Sequence, residues 1–310
     1  MHLFLNANYP FMKWRKYGYV FSLITLVIAL IGLLIHGGPK WSVDFTGGTL
    51  VQIHFDRETS VADVRAALEP IGMAEAEIQQ FGGTNEYLVR VDRSRYGDQT
   101  ANKVTEAVRG HFAGTNVDIR RTEDVGPKVG SELKKNAAIA LSVGLLFVLG
   151  YIAWRYEFRF AATGVIALFH DMIFVVGVLT LLNMEFSLNV VAALLTIAGY
   201  SINDTIIVFD RIRENMRTMR RESFPDIVDA AINATLSRTV ITSGLTMSTV
   251  VSLLIFGGEV IRDFALALAI GIAVGTYSSI FVAGAVVVDW RAKAVAAAER
   301  KKARPRTVAA

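Results

Sequence analysis

The residues best placed to do chemistry in this 310-residue chain are ionisable side chains set inside apolar runs. Asp204 lies in Gly199-Tyr200-Ser201-Ile202-Asn203-Asp204-Thr205, a polar cluster interrupting the apolar stretch from Leu188 to Phe209. Arg238 opens the next apolar stretch, and His170 and Asp171 sit near the middle of an earlier one. A charge at the centre of a bilayer costs about 2.5–3.5 kcal/mol on insertion scales, so such a residue needs a partner or a task. The stretches on either side of residues 210–238 run in opposite directions, which puts Asp204 and Arg238 at similar depth and makes an ion pair between them the expectation. Arg238, Thr242, Thr246 and Thr249 recur at helical spacing and form a hydrophilic stripe. Two readings of these groups stay open. One is a proton path, in which burial disfavours the charged carboxylate and a nearby Arg favours it. The other is static glue, with polar groups satisfying one another across a helical bundle.

The elements that must carry these groups are membrane spans. A mean hydropathy of +0.41 with 19% charged residues is too apolar for an ordinary soluble enzyme. Six apolar runs are long enough to cross a hydrocarbon core of about 30 Å: residues 17–35, 136–154, 160–182, 188–209, 239–256 and 264–288. The first is preceded by Lys13, Arg15 and Lys16, but the sequence His36-Gly37-Gly38-Pro39-Lys40 after it offers no small-x-small cleavage site, which predicts an uncleaved anchor. Short loops rich in Lys and Arg face the cytoplasm. That assigns segment 1–16, Arg155 and Arg159, the 210–238 loop and the 289–310 tail to the cytoplasm, with both termini inside. The net charge of +4 is accounted for by this topology and carries no nucleic-acid signal; the basic tail from Arg300 faces lipid headgroups. The 210–238 loop is amphipathic and predicts an interfacial elbow.

Residues 36–135 have the polar composition and turn punctuation of a small extracytoplasmic domain. Residues 49–56 alternate like a half-buried strand, and Ser60 caps a helix carrying Val61, Val64 and Leu68. Strands over 77–81 and 86–92 are joined through Gly82-Gly83-Thr84-Asn85, and a helix over 99–112 and a strand over 116–123 follow. The order βαββαβ predicts a ferredoxin-like α+β sandwich. His54, His111 and the scattered carboxylates have no metal-ligand spacing, a Gly-x-Ser-x-Gly nucleophile signature is missing, and Gly47-Gly48 is too short for a phosphate loop. Neither an enzyme active site nor a metal site is expected. Cysteine is absent, so no disulfide framework exists.

Three blocks then carry a resemblance: Val43-Asp44-Phe45-Thr46-Gly47-Gly48-Thr49 after the first span, Val125-Gly126-Pro127-Lys128-Val129-Gly130 before the second, and Gly199 to Thr205 running on into Val208-Phe209-Asp210-Arg211-Ile212-Arg213-Glu214-Asn215. With His170-Asp171 and Ser237-Arg238-Thr239 followed by Thr242-Ser243, they make the chain resemble the SecF family, from the first span to the sixth. The resemblance implies a multi-pass subunit of the bacterial cytoplasmic membrane, partnered by SecD and associated with the SecYEG channel and YajC. It implies use of the proton motive force, with no cofactor beyond protons, to help move unfolded polypeptides across the membrane. Asp204 and Arg238 would correspond to the family's intramembrane transport residues, with a further carboxylate supplied by SecD, which has an Asp where this chain has Asn203. Against this stand a small proton-coupled exporter, related to efflux transporters with a similarly placed outer domain, and a membrane scaffold without transport.

Overall fold

The elements form where capping residues and apolar periodicity put them. In a computed structural model of the chain, which describes residues 4, 7–80, 85–91 and 99–303, the first apolar run forms α1 (Phe11–Ile35). Strand β1 (Lys40–Trp41), a single helical turn α2 (Val43–Thr46) and β2 (Gly48–Phe55) follow. Helix α3 (Val61–Leu68) starts at Ser60, whose hydroxyl accepts from the Asp63 N–H while the Asp63 carboxylate accepts from the Ser60 N–H. This reciprocal capping box follows from the Ser-x-x-Asp spacing. Strands β3 (Glu77–Gln80) and β4 (Glu86–Val91), helix α4 (Thr100–His111) and strand β5 (Val117–Val125) complete an α+β domain. The Gly82 to Thr84 part of the turn read between β3 and β4 lies outside the described residues.

The domain has one antiparallel sheet of order β3-β4-β2-β5, with Thr49 opposite Val91 and Ile53 opposite Tyr87. Its core joins Val51, Ile53 and Phe55 of β2 to Val64 and Leu68 of α3 and to Val104 and Val108 of α4. Strand β2 is more buried than its alternation predicts. It is central, and its other face is also covered: Leu50 packs with Val43 and Leu88, and buried Gln52 donates to Glu86 at 2.7 Å.

Beyond the domain come α5 (Pro127–Arg155), α6 (Phe158–Leu181), β6 (Glu185–Phe186), α7 (Leu188–Thr218), α8 (Phe224–Phe256) and α9 (Glu259–Ser278). A π-helical segment, Ser279–Gly284, leads on into α10 (Ala285–Ala303). Six helices among the described residues are long and apolar enough to cross a membrane: α1, α5, α6, α7, α8 and the continuous α9–α10. The protein is a polytopic helical membrane protein.

The 210–238 segment departs from expectation. Helix α7 continues to Thr218 and α8 already begins at Phe224, so only residues 219–223 form a turn rather than an interfacial elbow. Ser223 caps α8 by accepting from the Asp226 N–H, and Pro225 occupies its first turn, where a missing N–H costs nothing. The apolar side then packs inward. Ile227, Val228, Ala231 and Ile232 join Met12, Phe209 and Ile212 in one core cluster instead of lying on a lipid surface. Tyr9 and Asn233 exchange two hydrogen bonds of 2.9 Å, and the Met12 N–H donates to Asp229 at 2.8 Å, so the start of α1 is tied to this half of α8. The 289–310 tail is helical through Ala303.

The α+β domain is fastened to the bundle. Strand β5 runs through Gly126 directly into α5, with Pro127 in its first turn. Strands β1 and β6 pair in parallel, Lys40 with Glu185 and Trp41 with Phe186. Arg90 of β4 donates to the Trp41 carbonyl at 2.9 Å and forms an ion pair with Glu185. Gly130 of α5 lies against the turn after α2: a Cβ there would stand 2.9 Å from the Gly47 nitrogen and 3.3 Å from the Asp44 and Phe45 carbonyl oxygens. Those are backbone atoms, which cannot swing aside.

Two outcomes follow. Gly130→Ala should lower stability by about 1–3 kcal/mol, the usual cost of overpacking, seen as a lower thermal midpoint in detergent. Gly150→Ala, in the same helix with nothing within 4 Å of the added methyl, should not. Glu77 gives a pH test. Partial burial opposes its charge, but the hydrogen bond and charge of Lys40, with Arg90, outweigh that and hold the carboxyl below its ordinary value of 4.5. A carboxylate depressed on folding adds stability above its unfolded pKa and loses it as pH falls through the folded one. Wild type should therefore unfold at a higher temperature than Glu77→Gln at neutral pH, with the gap closing below pH 4.5; a gap independent of pH would refute the assignment.

Candidate functional site

The bundle is built as two apolar layers with a polar layer between them. One apolar layer contains Val175, Leu179, Val190, Ala193, Leu194, Ile197, Leu268 and Ile272. The other contains Phe160, Ala167, Val208, Phe209, Ile212, Ile280 and Val287. Helices α6, α7 and α9–α10 pass through both, and each turns polar in between: His170 and Asp171 on α6, Ser201 and Asp204 on α7, Thr276 and Ser278 on α9.

Asp171 is fully buried, and both of its oxygens are engaged. Ser201 donates to one at 2.5 Å and Ser278 donates to the same atom at 2.7 Å, while the His170 Nδ1 stands 2.9 Å from the other. One carboxylate thus ties α6 to α7 and α9. Gly275, one turn before Ser278 on α9, lets the two helices approach, since a Cβ there would lie 3.0 Å from the Ser201 Cβ.

Asp204 is 1% exposed and differently placed. Ser243 of α8 donates to one oxygen at 3.4 Å, a long contact, and the other oxygen has no hydrogen-bond partner. Ser243 belongs to a cluster of hydroxyls. It lies 2.9 Å from the Thr276 hydroxyl, and the Tyr200 hydroxyl donates toward it at 3.3 Å and toward Thr246 at 3.5 Å. The ion pair expected between Asp204 and Arg238 does not form. Arg238 lies on α8 more than one turn before Ser243, and its side chain is exposed. A serine occupies the position next to the carboxylate instead. Thr205 is buried and its hydroxyl donates back to the Ser201 carbonyl at 3.3 Å, whereas Gly199 and Asn203 lie exposed on α7.

The Thr242 and Thr249 hydroxyls on the stripe each donate to a carbonyl of their own helix, at 3.0 and 3.2 Å. Ser201 and Ser243 stand in the sequence motifs without a role of their own, and Thr276 and Ser278 lie outside them. The run Thr276-Tyr277-Ser278-Ser279 inside the sixth apolar stretch was the available signal. Among the described residues, no group of three or more His, Cys, Asp or Glu side chains could hold a metal ion.

The motif residues near the domain form a second site. Asp44 accepts from the Leu188 N–H at 2.9 Å, at the first turn of α7. Phe45 inserts between Ala137 of α5 and Val191 of α7, with Trp41, Phe186 and Leu188 around it. Gly47 and Gly48 both have positive φ, 72° and 128°, which a side chain would oppose. Gly126 caps α5, Pro127 starts it and Gly130 meets Gly47. The glycines of both motifs therefore gather at a single joint between the domain and the bundle.

Residues 103–293 match the family described as protein export membrane protein SecD/SecF, C-terminal, and residues 32–59 match the SecD/SecF GG motif. The second match covers the Asp44 to Gly48 side of the joint, and the first covers its Gly126 to Gly130 side together with every residue of the polar layer. A protein translocase subunit SecF from Vibrio alginolyticus is 46% identical over 89% of this chain and 88% of its own length. One from Rhodothermus marinus is 42% identical over 96% and 97%. The crystal structure of SecDF, a translocon-associated membrane protein from Thermus thermophilus, superposes with a TM-score of 0.82 at 39% identity over 94% of this chain. SecDF in a super-membrane-facing form gives a TM-score of 0.70 at 38% identity over 96%. The chain spans 40% of the length of each of those two structures. Sequence, fold and the two matched motifs together place the chain in the SecD/SecF family of protein export membrane proteins, as a SecF-type translocase subunit.

Proposed function

We propose that the protein couples proton movement to polypeptide translocation, with Asp204 as the group that takes up and releases the proton. The observation that carries this is the contrast between Asp171 and Asp204, the carboxylates of the polar layer. Asp171 has donors on both oxygens, so a proton there would displace existing hydrogen bonds. Asp204 keeps one oxygen free of partners, so it can gain and lose a proton without dismantling the layer. On this reading His170 and Asp171 hold the helices in place and take no part in transfer. One elementary charge crossing 100 mV supplies about 2.3 kcal/mol, and several such steps could drive a domain motion.

The partner is SecD, with SecYEG and YajC completing the assembly around an unfolded polypeptide. Exposed Asn203 and Gly199 on α7 and exposed Arg238, Thr242 and Thr249 on α8 support a partner there, because an Arg side chain facing hydrocarbon is otherwise costly. The matched part is 40% of each SecDF chain, and the remaining 60% has room for such a partner within one chain. We read the α+β domain as extracytoplasmic and ferredoxin-like, supported by its strand order and by the concentration of Arg and Lys at the opposite loops. Both termini are then cytoplasmic in a bacterial inner membrane.

The test is translocation of a secretory protein into inverted membrane vesicles containing SecD, with and without a proton motive force. Asp204→Asn should abolish the force-dependent component and leave the force-independent one. Arg238→Met should reduce the force-dependent component, and Asp171→Asn should instead lower the thermal stability of the complex. Retention of full force dependence by Asp204→Asn would exclude the proton role.

A further inference from the structure

Asp44 lies far in sequence from the polar layer, yet it touches the helix that carries Asp204. Its carboxylate accepts from the Leu188 N–H at 2.9 Å across 144 positions of sequence. Leu188 is the first residue of α7, whose opening N–H groups have no partner within the helix. Ser187 accepts from the Val190 N–H at 3.4 Å, so the Asp44 carboxylate takes a different orphan donor and adds a negative charge at the positive end of a 31-residue helix. Asp204 follows about 24 Å further along that helix, at 1.5 Å per residue.

Three other contacts converge on the same short segment. The Ser42 N–H donates to the Phe186 carbonyl at 3.1 Å, β1 pairs with β6, and Arg90 forms its ion pair with Glu185. Asp44 itself is fixed by its own turn, because its N–H donates to the Ser42 hydroxyl at 3.2 Å and Gly47 closes the turn onto the Val43 carbonyl at 2.9 Å. The backbone of this turn also rests on Gly130 of α5.

We infer that Asp44 is a positioning residue for proton coupling: by capping α7 from outside the helix, it joins the α+β domain to the helix carrying Asp204, so that the two move as one body. The inference rests on the proton-coupling role given above to Asp204. The domain then acts as an extension of α5 and α7, and an axial shift at the polar layer reaches the domain through helix and hydrogen bonds instead of through a flexible linker.

The experiment uses the assembled complex with SecD in vesicles and compares Asp44→Ala with Asp44→Asn, which keeps an oxygen able to accept from Leu188. Amide hydrogen exchange over residues 186–192 reads the cap, and the translocation assay with and without a proton motive force reads the coupling. Asp44→Ala should raise exchange at 186–192 and lose the force-dependent component while force-independent translocation persists. Asp44→Asn should restore protection and most of the force dependence. Unchanged exchange in Asp44→Ala would overturn the cap. Raised exchange with undiminished force-dependent translocation, or failure of Asp44→Asn to recover force dependence despite restored protection, would overturn the coupling role. Asp204→Asn run alongside separates the two ideas: loss of the proton reading shows as force dependence in that variant, whereas loss of the cap shows in exchange at 186–192 whatever Asp204 does.

Discussion

A carboxylate buried in an apolar bundle must be met by hydrogen-bond donors, and the arrangement of the membrane helices follows from meeting that need at Asp171. No water competes there, so each unsatisfied polar group costs several kcal/mol. Ser201 and Ser278 supply donors from two neighbouring helices, and His170 covers the remaining oxygen. These contacts set the register of α6, α7 and α9 against one another. Once the register is set, Asp204 and Thr276 are carried to the same level as Ser243, and the apolar residues on either side fall into two separate clusters. The polar layer is thus a structural seam before it is a functional site.

The same register explains why the domain sits as it does. Helix α7 is long, and about 30 Å of hydrocarbon needs only around 20 of its 31 residues, so one end projects far enough for Asp210 to pair with Arg155 at 3.1 Å. At the other end it stops short, with Ser187, β6 and Asp44 gathered at its first turn. Small residues make this possible. Gly130 admits the backbone of the turn after α2, and Phe45 fills the space between Ala137 and Val191, where a larger neighbour would exclude it.

Much of this was legible from residue types alone. Six apolar runs, the Ser60 capping box and the polar interruption around Asp204 are local patterns, and each corresponds to a helix, a cap or the polar layer at the stated residues. Contacts between distant segments were less accessible. The continuation of α7 and α8 through residues 210–238 was missed because amphipathicity cannot say whether the apolar side of Ile227 and Ala231 meets lipid or Phe209 and Ile212. The partner of Asp204 was misjudged because charge invites pairing with Arg238, while helix geometry presents Ser243. The glycines at 47, 48 and 130 stand in two separate sequence motifs, and their gathering at one joint depends on α5 and the turn after α2 being neighbours, which no local pattern records.

The choice of serine beside Asp204 has a physical consequence of its own under the proton-coupling reading. A guanidinium can only donate, so an arginine in direct contact would hold the carboxylate in its charged form and resist protonation. A hydroxyl can donate to a carboxylate or accept from a carboxylic acid, and Ser243 has the Thr276 hydroxyl 2.9 Å away as an alternative acceptor when its proton turns away. Such a layer remains hydrogen-bonded in either protonation state of Asp204. The absence of an ion pair with exposed Arg238 fits the same reading, since no guanidinium locks the group in one state. Asp171, with two serines donating to a single oxygen, has no comparable freedom, and on that reading the two aspartates divide holding from switching by the number of donors each one meets.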